Sequence, residues 1–207
     1  MEQMIATPTR MSATDRRNQL IDVAIDLFSR KGFAGTTTKE IAAAAGVTEA
    51  IIFRHFATKQ DLYKAILDAR ISTPDAQAWF SEAQQFMDAD DDEGLFRALI
   101  TTIIQSKRDD PRFERLMLHA KLEGNELALM HHNQCALPVG KKLVAYIEKR
   151  QREGAIRKVD PLAVIFAVAG IADYYAHQKY LHQSATFPIS DEAVTDAFLS
   201  IIMKGLK

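Results

Sequence analysis

The stretch from Thr36 to Leu62, T-T-T-K-E-I-A-A-A-A-G-V-T-E-A-I-I-F-R-H-F-A-T-K-Q-D-L, constrains this chain more than any other. Gly32 and Gly35 close the helical pattern before it, and Thr37 with Glu40 forms a capping box, so a helix starts near Thr38. That helix passes through Ile41 and small Ala42, which suits two helices crossing closely. Gly46 offers a backbone that takes positive φ, and this puts a sharp turn at Ala45-Gly46-Val47 with Val47 buried in it. Thr48 is the next N-cap, and Ile52 and Phe56, four apart, share an inward stripe. Thr58 with Asp61 makes a third capping box, so another helix begins at Lys59. Two short helices about a tight turn, followed at once by a third, are the layout of a helix-turn-helix DNA reader.

Every other ordered stretch also reads as helix. Leu20, Ala24, Leu27 and Phe28 give a first amphipathic helix from about Thr14 to Lys31, and Lys59 to about Arg70 forms the fourth. Beyond Pro74 come a segment holding Trp79, Phe80 and Phe86, a strongly apolar helix from Leu95 to Arg108, and another from Phe113 to Gly124. Glu126 to Glu153 reads as one long helix kinked at Pro138. Asp160-Pro161 starts the next, and Ser190 caps a last helix ending near Lys204. The expectation is an all-α chain of nine or ten helices without a sheet. Its parts are a flexible tail over 1–13, a three-helix helix-turn-helix domain over 14–58, helix 4 (59–72) as connector, and a C-terminal helical bundle over 73–207.

The run I-A-x-x-A-G-V at Ile41 to Val47 and F-R-H-F-x-x-K-x-x-L at Phe53 to Leu62 resembles the N-terminal DNA-binding domain of TetR-type repressors, across about the first 70 residues. The family usually has Tyr where this chain has Phe53, a hydroxyl that reaches phosphate, and often Gly where Ala50 stands. The resemblance implies a homodimer that reads a palindromic double-stranded operator. It further implies that a small-molecule effector in the C-terminal bundle, the ligand-binding and dimerisation domain, shifts the spacing of the two heads, with helix 4 carrying the movement. Candidate contacts to bases or backbone are Thr48, Glu49, Phe53 and Arg54, with Thr37, Thr38, His55 and Lys59 as candidate phosphate contacts. The alternatives are capping for Thr37 and Thr48, a helix-terminal charge for Glu49 and packing for His55. Lys59 is the leading phosphate candidate because it sits at a helix N-terminus, where the dipole favours an anion.

Charge agrees with this in direction only. Of 26 Lys/Arg and 27 Asp/Glu, 10 and 8 respectively fall in residues 1–70, so the slight cationic excess lies at the N-terminal end. A net charge of −1 argues against indiscriminate coating of nucleic acid. The single Cys135 excludes an internal disulfide, and no signal peptide or apolar run of about 20 residues appears, so a cytoplasmic protein without membrane association is expected.

Leu162 to Ala172 is apolar on all sides and must be covered twice. The expected dimer face is Val164, Val168, Ile171 and Tyr175 with Phe198 and Ile202 of the last helix. The opposite face supplies Phe166, Asp173, Tyr174 and His177. Together with Phe96, Met117, His119 and Met130 these are the candidate effector contacts, for an apolar or amphipathic ligand. His131/Cys135 and Asp173/His177 are pairs at ligating spacing, yet nothing aligns them, and neither a metal nor a cofactor is assigned. The rival readings are an all-helical enzyme, for which Glu114, His119 and Glu123 lie around one helix, a metal-binding bundle, and an architectural DNA binder without effector input. No nucleophile elbow or phosphate-cradling glycine loop supports an enzyme.

Overall fold

Capping side chains set the starts of most helices in this protein. A computed structural model describes residues 11–182 and 188–207, apart from the side chains of 74–76; most of the expected tail, residues 1–10, lies outside this description. Among the described residues there are eleven α-helices and no strand. In order they are α1 (Ala13–Lys31), α2 (Thr38–Ala44), α3 (Glu49–His55), α4 (Lys59–Ile71), α5 (Pro74–Asp88), α6 (Asp92–Asp109), α7 (Pro111–Leu122), α8 (Glu126–His131), α9 (Leu137–Arg152), α10 (Pro161–Ala176) and α11 (Asp191–Leu206). The chain divides into two units, Met1–Ile66 and Leu67–Lys207, with the division falling inside α4.

The N-terminal unit follows its punctuation closely. Ser12 caps α1 by accepting from the Asp15 amide. Thr37 and Glu40 form the full capping box of α2, and Thr58 and Asp61 that of α4. Gly46 turns the chain at φ 67°, left-handed backbone that costs an L-residue about 1 kcal/mol or more. Its amide donates to Ala43 and that of Val47 to Ala42, closing the turn. Two details differ from expectation. Thr48 has the extended backbone of an N-cap but makes no capping hydrogen bond with its side chain, and Val47 is only half-buried, the turn being sealed by Ala45.

The core of this unit is Leu20, Ala24 and Phe28 of α1, Ile41 and Ala42 of α2, Ile52 and Phe56 around α3, and Leu62, Tyr63 and Ile66 of α4. Phe28, Phe33 and Tyr63 form an aromatic trio with ring centroids 4.8–5.8 Å apart. Full burial of each large side chain contributes about 1.5–3 kcal/mol, enough to hold seven-residue helices that are not stable alone.

In the C-terminal unit α6 is central, packing against α5, α7, α10 and α11. Leu95, Phe96, Leu99, Ile100 and Ile104 of α6 meet Tyr146 and Ile147 of α9, Val164, Val168, Ala172 and Tyr175 of α10, and Val194, Leu199 and Ile202 of α11. Two polar clasps frame this core. Asp92 accepts from Tyr146 at 2.6 Å and from Arg150 at 2.8 Å, joining α6 to α9. Asp191 accepts from Tyr180 at 2.6 Å and Lys179 at 2.8 Å. Burial and the Asp191 carboxylate push the Tyr180 hydroxyl up to about 12.

The expected long helix runs in continuous helical backbone from Glu126 to Arg152, with a π turn, His132–Ala136, between α8 and α9 and Pro138 just after it. A second π turn, His177–Leu181, extends α10. No described helix is long and apolar enough to cross a membrane.

Candidate nucleic-acid interface and effector site

Helix α3 is anchored on one side and open on the other. Ile52 and the following Phe56 are buried, whereas Thr48, Glu49, Ala50, Phe53 and Arg54 are exposed, Phe53 to 48%. Arg54 and His55 lie in the last turn of α3. His55 is half-buried with its ring 6.4 Å from that of Phe56, and the Arg17 guanidinium stacks over Phe56 at 5.1 Å. Glu49 is not free to swing: it accepts from the Thr38 hydroxyl at 2.6 Å, which pins the start of α3 to the start of α2. Thr37, exposed, is occupied by its capping box.

Lys59 departs from its expected orientation. Its ammonium donates to the carbonyls of Phe33 at 2.7 Å and Thr36 at 2.8 Å and lies 4.0 Å from the centre of the Phe33 ring. The helix-start position that makes a lysine attractive to phosphate also brings it beside the α1–α2 loop, whose carbonyls lack helical partners. Lys59 is therefore a clasp within its own unit. A second clasp, Lys31 to Glu40 at 2.7 Å, with the Thr37 capping bonds, draws the Glu40 carboxyl from 4.5 to about 2.

In the C-terminal unit the expected dimer face is inverted. Val164, Val168, Tyr175 and Ile202 are buried in the core of this unit, and Phe198 packs edge-on to Tyr175 with centroids 6.1 Å apart. Ile171 is half-buried. The open side carries Leu162 (53% exposed), Phe166 (74%) and Tyr174 (69%) on α10 and Ile201 (63%) on α11. A helix apolar all round gives its sequence no means of saying which stripe the neighbours take.

The expected effector contacts scatter for the same reason. Phe96, 1% exposed, and Met117 are core residues, His119 and Met130 are half-buried, and Phe166 and Tyr174 face outward. Only His177 of that set lines a described cavity, a space of about 260 Å³ bounded by Arg115, Leu118, His177, Leu181 and His182. Asp173 and His177 do come together, with Glu114 as their third member. His177 Nε2 is 3.1 Å from Glu114 and 3.6 Å from Asp173. Lys107, 5% exposed, sits on both carboxylates, at 2.7 Å from Asp173 and 3.5 Å from Glu114. The three ligating atoms lie within 4.8 Å of one another, but this ammonium already supplies the cation. His131 and Cys135 belong to no such group among the described residues; burial pushes the Cys135 thiol up, away from the thiolate a metal needs. A signal for Lys107 exists in the sequence, since it continues the inward stripe of Ile100 and Ile104.

A trihelical head with an anchored turn between α2 and α3 and an open outer face on α3 has the layout of a helix-turn-helix unit. Residues 20–66 match the family described as bacterial regulatory proteins, tetR family. The chain is 36% identical over 117 residues to the HTH-type transcriptional regulator TtgR of Pseudomonas putida, a match spanning 56% of this chain and 54% of that protein. The chain thus spans about half the length of such curated relatives. A longer, weaker match, 25% over 184 residues, covers 89% of this chain and 80% of the regulator RutR of Escherichia coli. Among solved structures, AibR in complex with isovaleryl coenzyme A and operator DNA aligns with a TM-score of 0.65 at 19% identity, covering 90% of this chain and 97% of that one. The fatty acid degradation regulator FadR of Bacillus halodurans aligns at 0.64 and 18%, covering 91% and 94%. At these identities the likeness is one of fold.

Proposed function

We propose that this protein is a homodimeric transcriptional repressor that binds a palindromic operator and releases it when a small molecule occupies its C-terminal unit. The observation that carries the proposal is α3, whose Ile52 is locked into the core while Thr48, Phe53 and Arg54 stand open to a major groove. The free Thr48 hydroxyl and the Arg54 guanidinium are the base-reading candidates, and exposed Phe53 suits a thymine methyl. Thr37, Thr38 and His55 border the phosphates. Glu49 sets the register of α3 through Thr38, and Lys59 holds the α1–α2 loop in place, adding its charge to the local field. One such helix touches few base edges, so two heads about one helical turn apart are needed for specific affinity.

The open apolar stripe of α10 and α11 supports the dimer. Leu162, Phe166, Gly170 and Tyr174 recur every four residues, as do Ala193, Ala197, Ile201 and Gly205 on α11, all of them exposed in the single chain. Their small residues permit close helix approach, and exposed apolar residues recurring in this way mark an interaction surface. Selection from a random DNA pool tests the whole reading: enrichment of an inverted repeat is the expected result, and recovery of unrelated sequences at equal frequency would refute it.

A further inference from the structure

We infer that the effector is a small organic carboxylate on an apolar body, held by the Arg115 guanidinium in the cavity that Arg115 shares with Leu118, His177, Leu181 and His182. This rests on the sensor reading above and adds the chemical class of the ligand. The lining holds one guanidinium and two imidazoles and no carboxylate of its own.

Arg115 is the informative member. It is half-buried, and among the described residues it has neither an ion pair nor a hydrogen bond. Of the other arginines of this unit with comparable burial, Arg112 forks onto Asp110, Arg150 onto Asp92, and Arg70 lies over the Phe113 ring at 5.7 Å. Residues 183–187 contribute no carboxylate by sequence. A guanidinium at a cavity wall without an anion of its own is available to one, and its planar fork matches a carboxylate through two parallel hydrogen bonds.

The carboxylates behind the cavity wall do not repel such a ligand. Glu114 and Asp173 are already held by the Lys107 ammonium and by His177. Two cations, Lys107 and Arg115, therefore balance the two carboxylates. A metal ion in the same cluster would instead face a buried ammonium 2.7 Å from one of its ligands. The volume, about 260 Å³, lies just under the roughly 300–1,000 Å³ of drug-sized sites and fits a small metabolite. Leu118 and Leu181 give its body an apolar wall. The π turn His177–Leu181, a geometry that recurs at functional sites, supplies both His177 and Leu181.

Calorimetric titration of the full chain with benzoate, phenylacetate and hexanoate, each beside its uncharged amide, and with inorganic phosphate tests the inference. At least one acid is expected to bind while its amide does not, with Arg115→Gln weakening it at least about tenfold and Arg115→Lys, which keeps the charge but loses the fork, less. Circular dichroism confirms that both variants are folded. Equal binding of acid and amide, an Arg115→Gln variant with unchanged affinity, binding of phosphate alone, or no binding by any acid would each overturn it. A parallel operator-binding assay separates the two layers. An amide that binds and lowers operator affinity refutes the carboxylate and leaves the sensor standing, whereas an acid that binds through Arg115 without altering operator affinity refutes the sensor and keeps the site.

Discussion

A lysine at the first position of a helix can reach outward to an anion or backward to carbonyls of a loop packed beside it. Lys59 takes the second course, with Phe33 and Thr36 as acceptors and the Phe33 ring beneath it. Replacing it by Met removes the donor from the Thr36 carbonyl and leaves that of Phe33 only the long bond from the Thr36 amide at 3.4 Å, and the expected loss is about 1–2 kcal/mol of stability, read as a lower urea midpoint at unchanged slope. If the midpoint does not move, the clasp contributes nothing and Lys59 is again a candidate phosphate contact. Glu40 gives a pH signature in the same unit. Its carboxyl titrates near 2 when folded against 4.5 for the free side chain, mainly through the Lys31 hydrogen bond and the Thr37 capping bonds. A depressed carboxyl stabilises the fold fully above the higher value, and this contribution fades as pH falls through 4.5 toward about 2. Glu40→Gln should therefore lower stability at neutral pH and flatten the acid side of the profile, the two proteins converging as pH falls toward about 2; an identical acid slope in the two proteins would rule the assignment out.

Helices α2 and α4 were readable because their starts are written in side chains that close local hydrogen bonds. Thr37 with Glu40 and Thr58 with Asp61 behave in the structure as their spacing requires, and Gly46 has the left-handed φ its turn demands. Helix α10 resisted for the opposite reason. Val164 and Phe166 are equally apolar, and which of them turns inward depends on where α6, α9 and α11 pack, which no local pattern encodes. The π turns at His132–Ala136 and His177–Leu181 carry no residue signature, so the Arg115 cavity, which needs the second of them, was not visible beforehand. Arg54 lies where reading from sequence and from structure agree, exposed in the last turn of α3. Its truncation to Ala should cost about 1–3 kcal/mol of operator affinity if the guanidinium grips a base. Titrating operator and scrambled duplex at several salt concentrations decides the role: a loss confined to the operator marks a base reader, and an equal loss on both, with a salt slope smaller by about one, marks a phosphate contact.

Joining two copies of the chain has to solve two problems at once, covering the open stripe of α10 and α11 and fixing the distance between two α3 helices. A twofold interface makes each stripe residue count twice, because the same patch serves both subunits. Phe166 is the sharpest probe, being 74% exposed in the single chain and therefore dispensable for its own core. Burying two phenylalanines contributes about 3–6 kcal/mol, so Phe166→Glu should raise the dimer dissociation constant at least about a hundredfold, before the added cost of burying two carboxylates. Sedimentation at micromolar concentration should then show a folded monomer with the helix content of the parent. The same preparation should keep its weak, salt-sensitive attraction to any duplex, which each head retains, and lose its preference for an inverted repeat, which needs both. A variant that stays dimeric would place the interface elsewhere on the bundle. One that becomes monomeric yet still selects an inverted repeat would mean that the heads pair on DNA without help from α10 and α11.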